Sequence, residues 1–241
     1  MIGRLGCALL AGLWAASLAA ETVIVGTEAG YPPIIFRDQT GALSGRDKEI
    51  GDEICRRAGW DCDWVETAFD DLLPGVTEGR FDIVIAGMTA SPQRAEIVDF
   101  SNVYRQPTPN TTYYAGMRAG IDPATARISV QAGTTQALFL QSLGYDARPY
   151  PDSYAAFAAM LRGEVDLFFG GGLFLSEMAD LGHDKLVANG QESVPSWGSG
   201  IAIAKGRDDM LAELNRVIQT MWEDGTLDRL NNKWTREGSD T

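Results

Sequence analysis

Five short runs of nearly continuous apolar residues constrain this chain most. They are Thr22–Thr27 (TVIVGT), Phe81–Gly87 (FDIVIAG), Arg127–Ala132 (RISVQA), Val165–Gly170 (VDLFFG) and Gly200–Ala204 (GIAIA). Runs so short and so apolar suit parallel strands covered on both faces. Between them, apolar residues recur at helical spacing. Asp47–Ala58 repeats Ile50, Ile54 and Ala58, and Phe69–Glu78 carries Leu72, Leu73 and Val76. Thr135–Leu143 and Ser153–Leu161 are similar, and Asp208–Trp222 gathers Leu211, Leu214, Val217, Ile218 and Met221 on one face. This alternation predicts an α/β architecture. At 241 residues and 45% hydrophobic, the chain can build one large domain or two lobes with separate cores.

One unit occurs twice. Leu72–Gly87 (LLPGVTEGRFDIVIAG) echoes Phe157–Gly171 (FAAMLRGEVDLFFGG): an apolar helix, a glycine turn, an aspartate, then a buried strand. Asp82 and Asp166 hold equivalent places. Any two βα units share some likeness; two similar lobes is the sharper reading. Gln106-Pro107-Thr108-Pro109-Asn110, held extended by its prolines, and Pro195–Gly200 are the candidate crossovers between lobes. Two such crossovers would make a hinge beside a cleft.

Residues 1–20 read as a secretory signal peptide: Arg4 at the start, an apolar run from Cys7 to Leu18, and small residues at a cleavage point near Ala19/Ala20. A lipid anchor on Cys7 is disfavoured, because Arg4-Leu5-Gly6 leaves almost no apolar run before it. The exported chain would keep 20 basic residues less Arg4 against 33 acidic ones, a net charge of −14. Such a polyanion repels nucleic acid and anionic membrane surfaces. Two cysteines would remain, Cys55 and Cys62, and an even count in an oxidising compartment favours a disulfide. A metal site is the rival reading, but His183 is the single histidine, so zinc is disfavoured. The chain shows no Walker loop, zinc motif or dinucleotide fingerprint, and no cofactor is expected.

The stretch Gly87–Tyr104 (GMTASPQRAEIVDFSNVY) bears most directly on function. Ser91-Pro92 reads as a helix start, with Ser91 as N-cap and Pro92 at the first helical position. Arg94 then falls in the first turn, where a cation opposes the helix dipole. A bound anion there would offset that, and a guanidinium meets a carboxylate through a planar fork. The competing reading is a solvated surface charge. Thr134 and Thr135 follow Gly133 at a strand-to-helix turn, where free N–H groups can take an anion or be simply capped.

The chain resembles bacterial periplasmic solute-binding proteins of the polar amino-acid type, family 3. It is similar to the histidine-, lysine/arginine/ornithine- and glutamine-binding proteins. Five motifs carry the resemblance, in order: VGTEAGYPPIIF, LSGRDKEIGDEICRRAG, GMTASPQRAEIVDFSNVY, VQAGTTQ and MWEDGTLDRLNNKW. It implies a type II periplasmic-binding-protein fold, a Venus flytrap of two lobes joined by two crossover strands. Lobe 1 would comprise residues 21–107 and 199–241, and lobe 2 residues 108–198. It implies that Arg94 grips a ligand carboxylate, with Thr89 as hydroxyl donor and Gly87 as a backbone contact. Thr134 and Thr135 would meet the same carboxylate from lobe 2. Tyr31 and Phe69 would sandwich the ligand side chain, and Glu28 falls where basic amino-acid binders place an acid. Cys55 and Cys62 match the disulfide spacing of the histidine-binding branch.

The chain departs from the family at Gly171, where an aspartate that neutralises the ligand's α-ammonium is expected. A buried ammonium without a partner costs several kcal/mol. Either the ligand lacks an α-amine, or Glu28, Glu177 or water compensates. The expected function is therefore a monomeric periplasmic receptor that delivers a small carboxylate-bearing solute to an ABC permease, with no chemistry. The alternatives are a cyclohexadienyl dehydratase-like enzyme, which needs a general acid in the cleft, and an accessory or sensory binding protein.

Overall fold

The computed structural model describes residues 20–107 and 110–234. Signal residues 1–19, with Arg4 and Cys7, lie outside the described residues, as do Thr108 and Pro109 of the first crossover. The first segment runs β1 (Glu21–Thr27), β2 (Gly30–Tyr31), β3 (Ile35–Arg37), β4 (Leu43–Ser44), α1 (Arg46–Ala58) and β5 (Trp60–Glu66). A 3-10 turn at Phe69–Asp71 leads into α2 (Leu72–Thr77), β6 (Ile83–Val84), α3 (Pro92–Ala95) and β7 (Asp99–Phe100). The middle holds β8 (Asn110–Gly116), β9 (Arg127–Gln131), α4 (Thr135–Ser142), β10 (Asp146–Tyr150), α5 (Ser153–Leu161), β11 (Leu167–Gly171), α6 (Gly172–Asp180) and β12 (Val187–Val194). The chain returns through β13 (Ala202–Ile203), α7 (Asp208–Glu223) and α8 (Thr226–Lys233).

Two five-stranded sheets result, ordered β5-β1-β6-β13-β7 and β10-β9-β11-β8-β12. In each, three parallel strands are followed by two that pair antiparallel. The Gly200–Ala204 run, expected to be parallel, is therefore corrected: β13 is antiparallel to β6. It arrives from the other sheet rather than through a helical crossover on its own, so no right-handed βαβ unit fixes its direction. The Phe81–Gly87 strand is also shorter than expected. Asp82 and Ile85 still bond to β1 backbone, but the chain leaves the sheet at Gly87, where φ is +62°.

The repeated unit is a repeat in geometry. The Asp82 carboxylate accepts the Ile24 N–H of β1 at 2.9 Å, and Asp166 accepts the Arg127 N–H of β9 at 3.0 Å. Each aspartate thus pins the neighbouring parallel strand at the same corner of its own sheet. Separate apolar clusters cover the faces of each sheet. Val25, Ile50, Ile85, Leu214 and Ile218 pack on one face of the first, and Leu72, Val76 and Phe81 on the other. Phe157, Phe168 and Phe174, then Ile128, Leu140 and Phe169, do the same for the second.

The crossovers run side by side. Ser199 forms antiparallel bridges with Arg105 and with Thr89, and the Tyr104 N–H donates to the Ser199 carbonyl at 2.9 Å. Cys55 and Cys62 form a disulfide across the turn after α1, with Cα atoms 6.1 Å apart. Gly59 closes that helix in the left-handed region, at φ +72°.

Candidate functional site

A cavity of about 600 Å³ lies between the two sheets, at the carboxyl ends of their parallel strands. Open α/β sheets place ligands there because the strand ends and following turns present free backbone groups. All nine expected residues line it: Glu28, Tyr31, Phe69, Gly87, Thr89, Arg94, Thr134, Thr135 and Gly171. They come from six segments on both sides of the cleft.

Arg94 is placed by its own local sequence. The Ser91 hydroxyl accepts the Arg94 N–H at 3.4 Å, and Pro92 occupies the first turn of α3. The guanidinium donates to the Thr89 carbonyl at 2.8 Å and across the cleft to the Gly133 carbonyl at 2.9 Å. It lies over the Phe69 ring, 5.4 Å from the centroid. Only two of its N–H groups are engaged by these carbonyls, and no carboxylate pairs with it among the described residues. Arg94 is 7% exposed, and burial pulls its pKa down to about 10, so it remains charged at neutral pH. A buried cation held only by neutral carbonyls is short of counter-charge.

Opposite it, Thr134 caps α4. Its hydroxyl accepts the Ala137 N–H at 3.1 Å and donates to the Gln131 carbonyl at 2.8 Å. Capping and anion contact are compatible here, because the cap engages the Ala137 amide.

Glu28 is buried at 4% exposure and accepts from the Gln131 side chain at 2.5 Å, while Ser153 donates to the same amide's oxygen at 2.7 Å. Burial, with Asp152 and Asp47 nearby, pushes its pKa up to about 8 against the lowering effect of Gln131. Glu28 is therefore protonated at neutral pH.

Tyr31 is not in a loop, as its prolines suggest, but in β2, paired to Ile35 of β3. Its ring stacks on Phe174 of α6, with centroids 5.8 Å apart and planes within 4°. Across the cleft its hydroxyl meets Gly171 of β11.

Beneath the cavity lies a network that sequence reading missed. Asp47 is fully buried, paired to Arg46 at 2.8 Å and accepting from the Tyr104 hydroxyl at 2.5 Å and from the Gly87 N–H. The Gly87 amide is thus committed to Asp47 and steadies the turn before Thr89. Arg46 and Arg105 also line the cavity.

This geometry can be set beside known proteins. The model of the bacterial extracellular solute-binding proteins, family 3, matches residues 23–237. The chain belongs to that family. The L-cystine-binding protein TcyJ of Escherichia coli K12 is 28% identical over 250 residues, covering 97% of this chain and 94% of TcyJ. The ABC transporter arginine-binding protein 1 of the same organism is 27% identical, covering 94% of this chain and 96% of the relative. Among solved structures, a periplasmic His/Glu/Gln/Arg/opine family-binding protein from Silicibacter pomeroyi in complex with lysine superposes with a TM-score of 0.82. It is 30% identical and covers 91% of this chain and 98% of that one. The two-lobed type II architecture is shared with these family 3 proteins.

Within this family 3 protein, the residues missed have readable reasons. Arg46 stands at the head of an amphipathic helix among Asp47, Lys48 and Glu49, where charges are normally solvated. Gln131 ends an apolar strand, and its contact with Glu28 spans 103 residues, so no local pattern announces it.

Proposed function

We propose that the protein is the periplasmic substrate-binding receptor of an ABC importer. It holds a small carboxylate-bearing solute, an amino acid or a close analogue, in the interlobe cleft. The observation that carries this reading is Arg94: a buried guanidinium facing the cleft, without a carboxylate partner among the described residues. A ligand carboxylate supplies the missing counter-charge and adds charge-assisted hydrogen bonds. Thr89 and the amides at Thr134 and Thr135 complete its shell, and Tyr31 and Phe69 flank the rest of the ligand. The names of the relatives, arginine- and cystine-binding proteins, support a ligand of this class.

Lobe 1 spans 21–107 and 199–241, and lobe 2 spans 108–198. The membership of β7 and β13 in one sheet, and of β8 and β12 in the other, supports these limits. The exported protein acts as a monomer, after removal of residues 1–20, and hands its ligand to a membrane permease. No helix among the described residues is long and apolar enough to cross a membrane.

A thermal-shift screen of amino acids, oxo acids and dicarboxylates tests the reading. A ligand at 100 times its dissociation constant adds about 2.7 kcal/mol. Arg94→Ala should abolish the shift, and Arg94→Lys should reduce it sharply, since an ammonium cannot form the planar fork. An undiminished shift in Arg94→Ala would overturn the carboxylate assignment.

The dehydratase alternative is not favoured, because the curated relatives are binding proteins. Glu28, with its raised pKa, is the acid at the cleft that such chemistry would use, and a prephenate assay tests this alternative. Prephenate should persist in the protein's presence, and formation of ultraviolet-absorbing phenylpyruvate would show an enzyme.

A further inference from the structure

The cleft is unevenly charged. Arg94 presents a guanidinium group to it with no carboxylate partner among the described residues, Arg105 also lines it, and Arg46 is paired to Asp47. Among the described residues two acidic side chains line the cavity, Glu28 and Asp228. Asp228 is an exposed residue of α8, on lobe 1. Glu28 is buried, its carboxyl is already engaged by the Gln131 amide, and burial raises its pKa. The lobe 2 wall contributes hydroxyls, amides, aromatic rings and glycines to the cavity, and no acid. Glu177, the acid of α6 nearest in sequence to that wall, is not among the lining residues.

Tyr31 explains how the wall can do without one. Its hydroxyl lies 2.7 Å from the point a Cβ on residue 171 would occupy. A side chain at 171 would need the phenol to shift, so glycine and tyrosine are fitted to each other across the cleft. The phenol is what this corner offers a ligand. Burial keeps it protonated by raising its pKa. A neutral hydroxyl donates well to a carbonyl, hydroxyl or carboxylate oxygen. It does not neutralise an ammonium, which would sit near guanidinium groups without an anionic partner and lose affinity for it.

We propose that the ligand is a carboxylate with no ammonium on the neighbouring carbon: an oxo, hydroxy or dicarboxylic acid whose second oxygen accepts from the Tyr31 hydroxyl over Gly171. This rests on the reading of Arg94 as the carboxylate anchor and deepens it. Tyr31 and Gly171 then set ligand class, while Arg94 sets affinity for any carboxylate.

Calorimetric titration of the full exported chain with matched pairs tests it: 2-oxoglutarate with L-glutamate, 4-methyl-2-oxopentanoate with L-leucine, and phenylpyruvate with L-phenylalanine. The oxo acid should bind about tenfold or more tightly in the pair whose side chain fits. An amino acid that binds as tightly as its oxo counterpart, and loses binding in Arg94→Ala, would overturn the proposal while leaving the receptor reading intact. Amino acids and oxo acids that bind equally in wild type and Arg94→Ala would overturn both. A double variant, Tyr31→Ala with Gly171→Asp, makes room for a carboxylate and should shift preference toward the amino acid by about tenfold. An unchanged preference in that folded variant would also count against the proposal.

Discussion

Glu28 and Arg94 are buried ionisable groups at opposite needs: one has shed its charge, the other keeps it and has no carboxylate partner among the described residues. Glu28 has a pKa of about 8 against an ordinary 4.5. The folded structure therefore holds a proton that an exposed carboxyl releases. Its contribution to stability is complete below the ordinary value and is lost as pH rises through the raised one. The melting temperature of the wild type should fall more steeply than that of Glu28→Gln from roughly pH 5 to pH 8.5. Glutamine can still accept from Gln131, so the contact survives and the titration disappears. Parallel melting profiles for the two proteins would contradict the assignment. Arg94 was legible because serine, proline and arginine at that spacing write out a helix start and its first turn. The proton on Glu28 was not, because it depends on Gln131, Asp152 and Asp47, which only the fold brings near.

At the scale of elements, most strands and helices could be read from their periods, since long helical faces such as α7 and apolar runs such as β1 leave little ambiguity. Direction was harder. A two-residue strand like β13 carries no mark of whether its partner runs with or against it, and that depends on where the chain has come from. The disulfide was readable from the even cysteine count left after export, and the structure sets it across a helix end, Gly59, and the next strand. Closing so short a loop stabilises a domain by about 2 kcal/mol. Cys55→Ser with Cys62→Ser should lower the melting temperature by about 4–8 °C in a scanning calorimeter. Ligand affinity should stay within about twofold, because Cys62 lies in register with Val23, near the amino end of β1 and away from the cleft. A large loss of affinity would place the bridge in the binding machinery instead.

At the scale of the whole molecule, the two lobes are in contact. Glu28 meets Gln131, Arg94 meets the Gly133 carbonyl, and Tyr31 stacks on Phe174. Each contact joins a residue of the first sheet's lobe to one of the second. Closure is a population shift, and a ligand favours it only through contacts it makes to both lobes at once. Small-angle scattering should show the radius of gyration falling when ligand is added to wild type, and no change with Arg94→Ala. Two lobes were foreseeable from the repeated unit and its paired aspartates. The fit between Tyr31 and Gly171 was not, because a glycine in sequence does not say what fills the space above it.

The most direct test is a crystal structure of the protein with the carboxylate that the screen selects. The predicted result is a ligand carboxylate on the Arg94 guanidinium, beside Phe69 and the start of α4, with Tyr31 donating to a second ligand oxygen. A carboxylate seated elsewhere in the cleft, with Arg94 still bonded only to the Thr89 and Gly133 carbonyls, would contradict it.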